Sequence, residues 1–218
     1  MATTRLDRAL VVDTALRLLN EVGLDGLTLR RIAKELNVQA PALYWHFKNK
    51  GELLDEMATA VYREMTRTPM APAATWQEQL ARTQRGLRDA LLRYRDGAKV
   101  FGGTRFTDTG HAAAMETHLR VLVDAGFTPS AAARASFIAY TFTLGFVTEE
   151  QAVRSAPGER VTPGYDVDQR AERIGADYPL AAAAGADLFL DYEERFEEGL
   201  RAIIAGIEAT LLPSARRA

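Results

Sequence analysis

Apolar residues recur at helical spacing through nearly the whole chain, and this periodicity constrains the fold more than any other feature. Val11, Ala15, Leu18 and Val22 stand at i, i+4, i+7 and i+11, the spacing of one helix face. We find no run with the two-residue alternation of a half-buried strand. The sequence therefore predicts an all-α fold, and 218 residues suffice for a sizeable core.

Charge is distributed unevenly along the chain. Residues 1–50 contain eight basic and five acidic side chains, whereas the rest contains 19 basic and 24 acidic ones. A basic head on an acidic body predicts one module that faces a polyanion and one with a different task. Because Pro69 and Pro72 interrupt the periodicity, we predict a head over 1–50, a connecting helix over 50–66 and a body over 67–218.

The head has the pattern of three short helices. Thr28 precedes a two-turn apolar repeat, Asn37 suits the positive φ of a tight turn, and Pro41 suits the first turn of a new helix over about 40–46. A short helix, a tight turn and a second short helix, held by a longer one, form a helix-turn-helix unit. We therefore predict an N-terminal three-helix DNA-binding domain joined to a larger helical domain.

The outward face of the second short helix has side chains suited to double-stranded DNA. Glutamine can pair with adenine, small residues can contact thymine methyl groups, and tyrosine, histidine and lysine can reach phosphates. A simpler alternative is that these residues are only solvated positions on a small bundle. The predicted DNA contacts are Arg30, Gln39, Ala40, Pro41, Ala42, Tyr44, Trp45, His46, Lys48 and Lys50.

The last periodic segment, about 190–212, has two neighbouring apolar stripes. One stripe contains large residues and the other contains glycine and alanine, which allow another helix to approach closely. A single stripe would be enough to dock this helix on its own core. We therefore predict a homodimer interface, with a fully buried helix of one subunit as the alternative. The predicted dimer contacts are Phe196, Gly199, Ile203, Gly206 and Ile207.

Several classes of function are disfavoured by what the sequence lacks. It has no cysteine and only three histidines, so we predict neither a metal centre nor a cofactor. It has none of the common nucleophile, phosphate-loop or zinc-protease motifs, which makes a helical enzyme a weak alternative. Since no apolar run approaches about 18 residues, we expect no membrane partner and a cytoplasmic location.

The run Leu43-Tyr44-Trp45-His46-Phe47, two residues before Asn49-Lys50 and preceded by Gly26-Leu27-Thr28-Leu29, resembles the signature of the TetR family of transcriptional regulators. This resemblance covers residues 6–55 most strongly. It implies an N-terminal DNA-binding domain, an all-helical body that binds a small-molecule effector, and a homodimer on a palindromic operator. It further implies a repressor that the effector releases, although an activator with the same fold stays open.

Later segments resemble the branch of that family that contains the tetracycline repressors, for example Tyr94-Arg95-Asp96-Gly97 and Phe142-Thr143-Leu144-Gly145. In that branch a histidine after Gly-Ala-Lys-Val binds the drug-chelated magnesium, but this chain has Phe101 there. We therefore expect an uncharged, more apolar effector than a magnesium–tetracycline chelate, with a tetracycline-responsive repressor as the alternative. The predicted effector contacts are Thr66, Thr83, Leu87, Phe101, Arg105, Met115, His118, Phe137, Tyr140 and Glu149.

Two further expectations concern this body. For Leu87, Met115 and Phe137, plain core packing is an equally good interpretation. The glycine-rich segment 97–110 interrupts the periodicity, so we predict an irregular stretch there that rearranges when the effector binds.

Overall fold

The computed structural model describes residues 6–67, 73–154, 162 and 164–213. This part of the chain contains helices and connecting segments and no strand, which confirms the all-α prediction. The helices are α1 (Arg8–Gly26), α2 (Leu29–Glu35), α3 (Ala40–Tyr44), α4 (Lys50–Thr66), α5 (Trp76–Leu92), α6 (Gly97–Phe101), α7 (His111–Asp124), α8 (Pro129–Val153), α9 (Val167–Ile174), α10 (Pro179–Phe189) and α11 (Tyr192–Leu211).

Side-chain caps and two positive-φ residues set the boundaries of the first four helices. The side chains of Thr28 and Asn49 accept hydrogen bonds from backbone N–H groups at the starts of α2 and α4. Gly23 has φ 68° and ends the regular part of α1, while Asn37 has φ 54° in the turn after α2. Both turns lie where the sequence predicts them. Helix α3 ends at Tyr44, earlier than the predicted residue 46.

A continuous apolar core joins the head to α4 and to the region around α5 and α6. Leu43 and Phe47 are fully buried in the head, Met57 is buried on α4, and Leu91 and Phe101 extend the same cluster. Helix α4 therefore packs against both parts, as a connecting helix must. The predicted boundary near 67 adjoins residues outside the described ranges, so it stays a prediction.

The body is built around α8, which packs against α5, α7 and α11. Its buried positions include Ala131, Ala135 and Ala139, whose small side chains let the neighbouring helices approach closely. Trp76 and Phe127 fill the space beside them, with ring centroids 5.0 Å apart in an edge-to-face arrangement. This second core holds the body together independently of the head.

The structure corrects the sequence analysis in the segments around α6, α9 and α10. The predicted irregular stretch 97–110 begins with a short helix, α6, and only its remainder is irregular. Helices α9 and α10 were not predicted, and they pack mainly against each other. Arg170 of α9 donates a 2.7 Å hydrogen bond to the carbonyl of Ala181 and lies over the ring of Phe189.

Candidate DNA-binding surface and effector site

The outer face of α3 and the residues that flank it form the candidate DNA-binding surface. Because Leu43 and Phe47 point into the core, the residues between and around them face outward. Tyr44 is 54% exposed and Trp45 is 90% exposed, which is unusual for large aromatic residues. The predicted contacts Arg30, Gln39, Pro41 and Lys48 are also exposed, whereas Ala40, Ala42, His46 and Lys50 are partly buried.

Lys50 makes a structural contact that sequence reasoning did not predict. Its Nζ atom donates a 2.6 Å hydrogen bond to the backbone carbonyl of Leu24, which ties the start of α4 to the end of α1. The backbone N–H of Leu24 in turn donates to a carboxylate oxygen of Asp96, at 2.9 Å. The peptide groups around Leu24 are therefore held from both the head and the body.

Arg8 supports the end of α3 from beneath, a role that no pattern in the sequence indicates. Its guanidinium donates to the backbone carbonyl of His46, and its Cζ atom lies 4.3 Å from the centroid of the Phe47 ring. A cation over an aromatic face and a charge-assisted hydrogen bond both favour this position. The orientation of the candidate DNA-binding surface thus depends on α1 as well as on α3.

Aromatic rings at the end of α6 form the centre of the candidate effector site. The ring centroid of Phe101 lies 6.4 Å from that of Tyr140, and Tyr140 lies 6.0 Å from Phe137, so three predicted residues come together. Phe106 joins them at 5.8 Å from Phe101 and 4.8 Å from Tyr62. We call Tyr62, Phe101, Phe106, His111, Phe137 and Tyr140 the aromatic cluster.

Three members of the aromatic cluster were not predicted as effector contacts. Phe106 and His111 have ring centroids 4.9 Å apart, and both lie in or beside the segment between α6 and α7. Tyr62 shares α4 with the predicted Thr66, one turn away, and that spacing was the available signal. The ring of His111 contacts that of Phe106, and its Nδ1 lies 2.9 Å from the carbonyl oxygen of Asp108.

His118 lies on α7 with a buried ring nitrogen. Its Nδ1 atom has no hydrogen-bond partner in the described part of the chain, and burial lowers the pKa of the imidazole below its ordinary value. Burial also raises the pKa values of the Tyr62 and Tyr140 hydroxyls. These three groups are therefore neutral near pH 7, and they can exchange hydrogen bonds with a ligand without adding charge.

The other predicted effector residues are more dispersed. The hydroxyls of Thr66 and Thr83 donate to carbonyls of their own helices, both at 2.9 Å, and Leu87 is buried in the core. Met115 is 50% exposed on α7, and Arg105 is also exposed. These side chains border the helices that carry the aromatic cluster, but no direct contact joins them to it among the contacts described.

Glu149 does not join the aromatic cluster. It is exposed on α8 and lines a separate cleft of about 390 Å³ between α8, α10 and α11. Phe146 and Tyr192 form part of the same cleft, and their ring centroids lie 5.9 Å apart. Within one subunit, Glu149 therefore lies in a cleft whose lining does not include Phe101.

The segment between α6 and α7 is attached to one face of α4. Asp55 accepts a 3.1 Å hydrogen bond from the backbone N–H of Arg105, and Thr59 accepts a 3.0 Å bond from the N–H of Thr107. These α4 residues are four apart and therefore lie on one face of the helix. Any displacement of this segment acts directly on the helix that leads to the head.

The predicted dimer residues divide differently from what the sequence suggested. Phe196 and Ile207 are buried inside the subunit, because the large stripe of α11 packs on α5 and α8. Gly199 is covered by the ring of Phe142, which a Cβ atom would approach to 2.6 Å. Ile203 is partly buried, and only Gly206 is open to solvent. Phe196 and Ile207 therefore belong to the intramolecular core, and a dimer contact at the exposed small residues of α11 stays a prediction.

The described residues contain no group of three or more His, Asp or Glu side chains placed to hold a metal ion. None of the helices described is both long enough and apolar enough to cross a membrane.

Comparison with known proteins identifies the family. The model for "Bacterial regulatory proteins, tetR family" matches residues 11–57, and the model for "Tetracyclin repressor-like, C-terminal domain" matches residues 68–211. The chain belongs to the TetR family. TetR-family proteins are ligand-responsive, dimeric DNA-binding regulators, which confirms the predicted class of function.

Individual relatives agree with this assignment and are regulators rather than enzymes. The tetracycline repressor protein class A from transposon 1721 of Escherichia coli is 44% identical over 211 residues, which cover 94% of this chain and 91% of that protein. A possible TetR family transcriptional regulator from Streptomyces coelicolor A3(2) has a TM-score of 0.80 at 41% identity, covering 93% and 99%. ActR from Streptomyces coelicolor, in complex with actinorhodin, has a TM-score of 0.79 at 30% identity, covering 94% and 98%.

Proposed function

We propose that this TetR-family regulator represses transcription by placing the outer face of α3 in the major groove of a palindromic operator. In a dimer, two such helices about 34–36 Å apart enter successive major grooves on one side of the duplex. The exposure of Tyr44 and Trp45 beside Gln39 supports this assignment most directly. Lys48 and Arg30 supply exposed positive charge for phosphates on either side.

The effector we propose is an uncharged, planar aromatic molecule that binds at the aromatic cluster. Rings at centroid distances of 4.8 to 6.4 Å offer edges and faces for a flat ligand, and the neutral hydroxyls of Tyr62 and Tyr140, both members of the cluster, offer hydrogen bonds. Phe101 cannot coordinate a metal, which disfavours a magnesium chelate. The actinorhodin complex of ActR and the tetracycline repressors are the relatives that bear on this choice.

Release would follow from the attachment of the segment between α6 and α7 to α4. A ligand that separates Phe101 from Phe106 moves this segment and, through Asp55 and Thr59, pulls on α4. A different α4 position changes the spacing of the two α3 helices, so DNA affinity falls by the ligand's preference for that state.

The DNA-binding proposal is tested by selecting duplexes from a random-sequence pool with the purified protein. We expect a palindromic sequence to be enriched, and we expect Tyr44→Ala to weaken binding to it about tenfold, the loss of one good contact. Tyr178→Ala removes an exposed tyrosine that precedes α10 and serves as the control. Failure to enrich any sequence, or equal binding by Tyr44→Ala, would contradict the assignment.

The effector proposal is tested on that duplex with two probes, doxycycline with excess Mg²⁺ and a metal-free hydroxylated anthraquinone. We expect the anthraquinone to release the duplex at lower concentration and its effect to disappear in Phe101→Ala. If doxycycline releases the duplex only when Mg²⁺ is present, and the anthraquinone does not release it, the tetracycline-responsive alternative is established. Tighter DNA binding in the presence of either probe would mean that the ligand acts as a co-repressor.

A further inference from the structure

Helix α3 is the recognition helix of the proposed function, and an uninterrupted series of charged contacts begins beneath it. Arg8 holds the carbonyl of His46, the second residue after α3, and the guanidinium is itself bound by carboxylates of α4. The Arg8–Glu56 distance is 3.1 Å and the Arg8–Glu52 distance is 3.5 Å. Glu52 also accepts a 2.8 Å hydrogen bond from the backbone N–H of Lys48. Two α4 carboxylates thus position the chain that leaves α3.

The same series continues along α4 to the effector side. Glu56 uses one carboxylate oxygen for Arg8 and the other for Arg63, whose Nη1 atom lies 3.1 Å away. Arg63 then donates through Nε to Asp108 at 2.9 Å. Asp108 lies between α6 and α7 and also accepts a 2.8 Å bond from the N–H of Gly110. The side chain of Glu56 is only 12% exposed, so water competes weakly for its oxygens.

We propose that Glu56 is a positioning residue that couples the segment between α6 and α7 to the recognition helix. The route runs from Asp108 through Arg63, Glu56 and Arg8 to the carbonyl of His46. It regulates the site described under the proposed function and therefore rests on that function. It acts in addition to the hydrogen bonds that the side chains of Asp55 and Thr59 accept, because it runs through other side chains along α4 to Arg8 and the carbonyl of His46.

This coupling differs from simple stabilisation in a measurable way. Arg63 and Asp108 have side chains 48% and 40% exposed, and pairs at such positions contribute little to folding. If the contacts only stabilised local structure, removing Asp108 would affect DNA binding equally whether or not Glu56 were present. If they form one route, the effect of Asp108 depends on Glu56.

A double-mutant cycle on the duplex selected by the wild-type protein tests the proposal without any effector. The variants are Asp108→Asn, which preserves an acceptor for Gly110, Glu56→Gln, and the two combined. We expect Asp108→Asn alone to weaken duplex binding about three- to tenfold, although it lies far from the DNA. In the Glu56→Gln background we expect the same change to alter the dissociation constant less than about 1.5-fold, within measurement error.

Glu116→Gln is the matched control, because Glu116 pairs with Arg120 on α7 outside this series and undergoes the same change of charge. It should leave duplex binding unchanged in both backgrounds. Equal fold-changes for Asp108→Asn with and without Glu56, or no effect of Asp108→Asn alone, would overturn the coupling. Absence of any duplex enriched by the wild-type protein would instead overturn the proposed function.

A second experiment tests the same coupling with Arg63→Gln, in case Glu56→Gln does not fold. Arg63 is half exposed, so its loss is compatible with folding, and circular dichroism checks this. We expect Arg63→Gln and Asp108→Asn to weaken duplex binding by the same factor, and the double variant to be no weaker than either. Multiplying effects in the double variant would contradict a shared route.

Discussion

Lys50 illustrates, at the scale of single residues, how one side chain can belong to the fold and to the candidate DNA-binding surface. Its ammonium has three N–H donors, of which one is used by the carbonyl of Leu24. We expect the other two donors to meet a phosphate in the operator complex. The sequence predicted the second role from the basic charge, but the first depends on a contact between residues 26 positions apart, which periodicity cannot reveal.

Lys50→Met therefore should affect both stability and DNA binding. We expect a loss of about 1 kcal/mol in the free energy of unfolding, because the Leu24 carbonyl loses its partner. Operator affinity should fall as well, with a shallower dependence on salt concentration. Chemical denaturation and fluorescence anisotropy measure the two effects. Lys34 is exposed on α2, so Lys34→Met is the comparison for the loss of charge alone. Identical unfolding curves for both variants would contradict the structural role of Lys50.

His118 makes a prediction about pH. Burial holds the pKa of the folded protein's imidazole below the ordinary value of 6.5, so the unfolded chain binds the proton more readily. Stability from this group is complete above about pH 6.5 and falls as the pH drops toward the folded-state pKa. His118→Leu should flatten the decline of unfolding free energy between pH 6.5 and 5 by up to about 1.4 kcal/mol per pH unit. An unchanged slope in urea denaturation would refute this.

At the scale of helices, periodicity and capping residues were enough to predict those with a long apolar face. Thr28, for example, accepts a backbone hydrogen bond at the start of α2, where the sequence predicts a helix. Helix α6 was missed because five residues are too few to display a period. Helix α9 has no buried residue, so no apolar stripe marks it. The two stripes of α11 were recognised, but a sequence does not say which stripe meets its own core.

The turn between α5 and α6 provides a prediction at this scale. A Cβ atom at Gly97 would lie 2.1 Å from the carbonyl oxygen of Leu91, which backbone cannot easily relieve. Gly97→Ala should therefore destabilise the protein by at least about 2 kcal/mol. Gly86→Ala, in the interior of α5 with open space around it, should instead stabilise by about 0.5–1 kcal/mol. The thermal unfolding midpoints of the Gly97→Ala and Gly86→Ala variants test this difference. Similar midpoints would contradict the close approach at Gly97.

Over the whole molecule, the chain combines a rigid connection between head and body with a surface left open for a second subunit. The core runs without a break from Phe47 through Met57 to Phe101, so the head moves with α4 and α6. On α11 the small residues Ala202 and Gly206 are exposed, whereas Gly199 is covered by the ring of Phe142. The dimer was predicted from the sequence; of its predicted contacts, Phe196 and Ile207 are buried within the subunit, whereas Gly206 is exposed.

Gly206→Arg tests the small stripe as the dimer surface. No atom lies within 4 Å of a Cβ placed at Gly206, so the subunit itself tolerates the larger side chain. We expect a shift from dimer to monomer in analytical ultracentrifugation and a loss of operator affinity of at least about tenfold, because one recognition helix remains. Ala113 is exposed on α7, and Ala113→Arg should leave the dimer intact. A dimeric Gly206→Arg protein would place the interface elsewhere.

The chain has two tryptophans, and they occupy opposite environments: Trp45 is 90% exposed and Trp76 is 7% exposed. An aqueous quencher such as iodide will therefore extinguish the emission of the first and spare that of the second. Unlabelled protein carries its own optical reporter on the candidate DNA-binding surface, together with an internal reference for the integrity of the body.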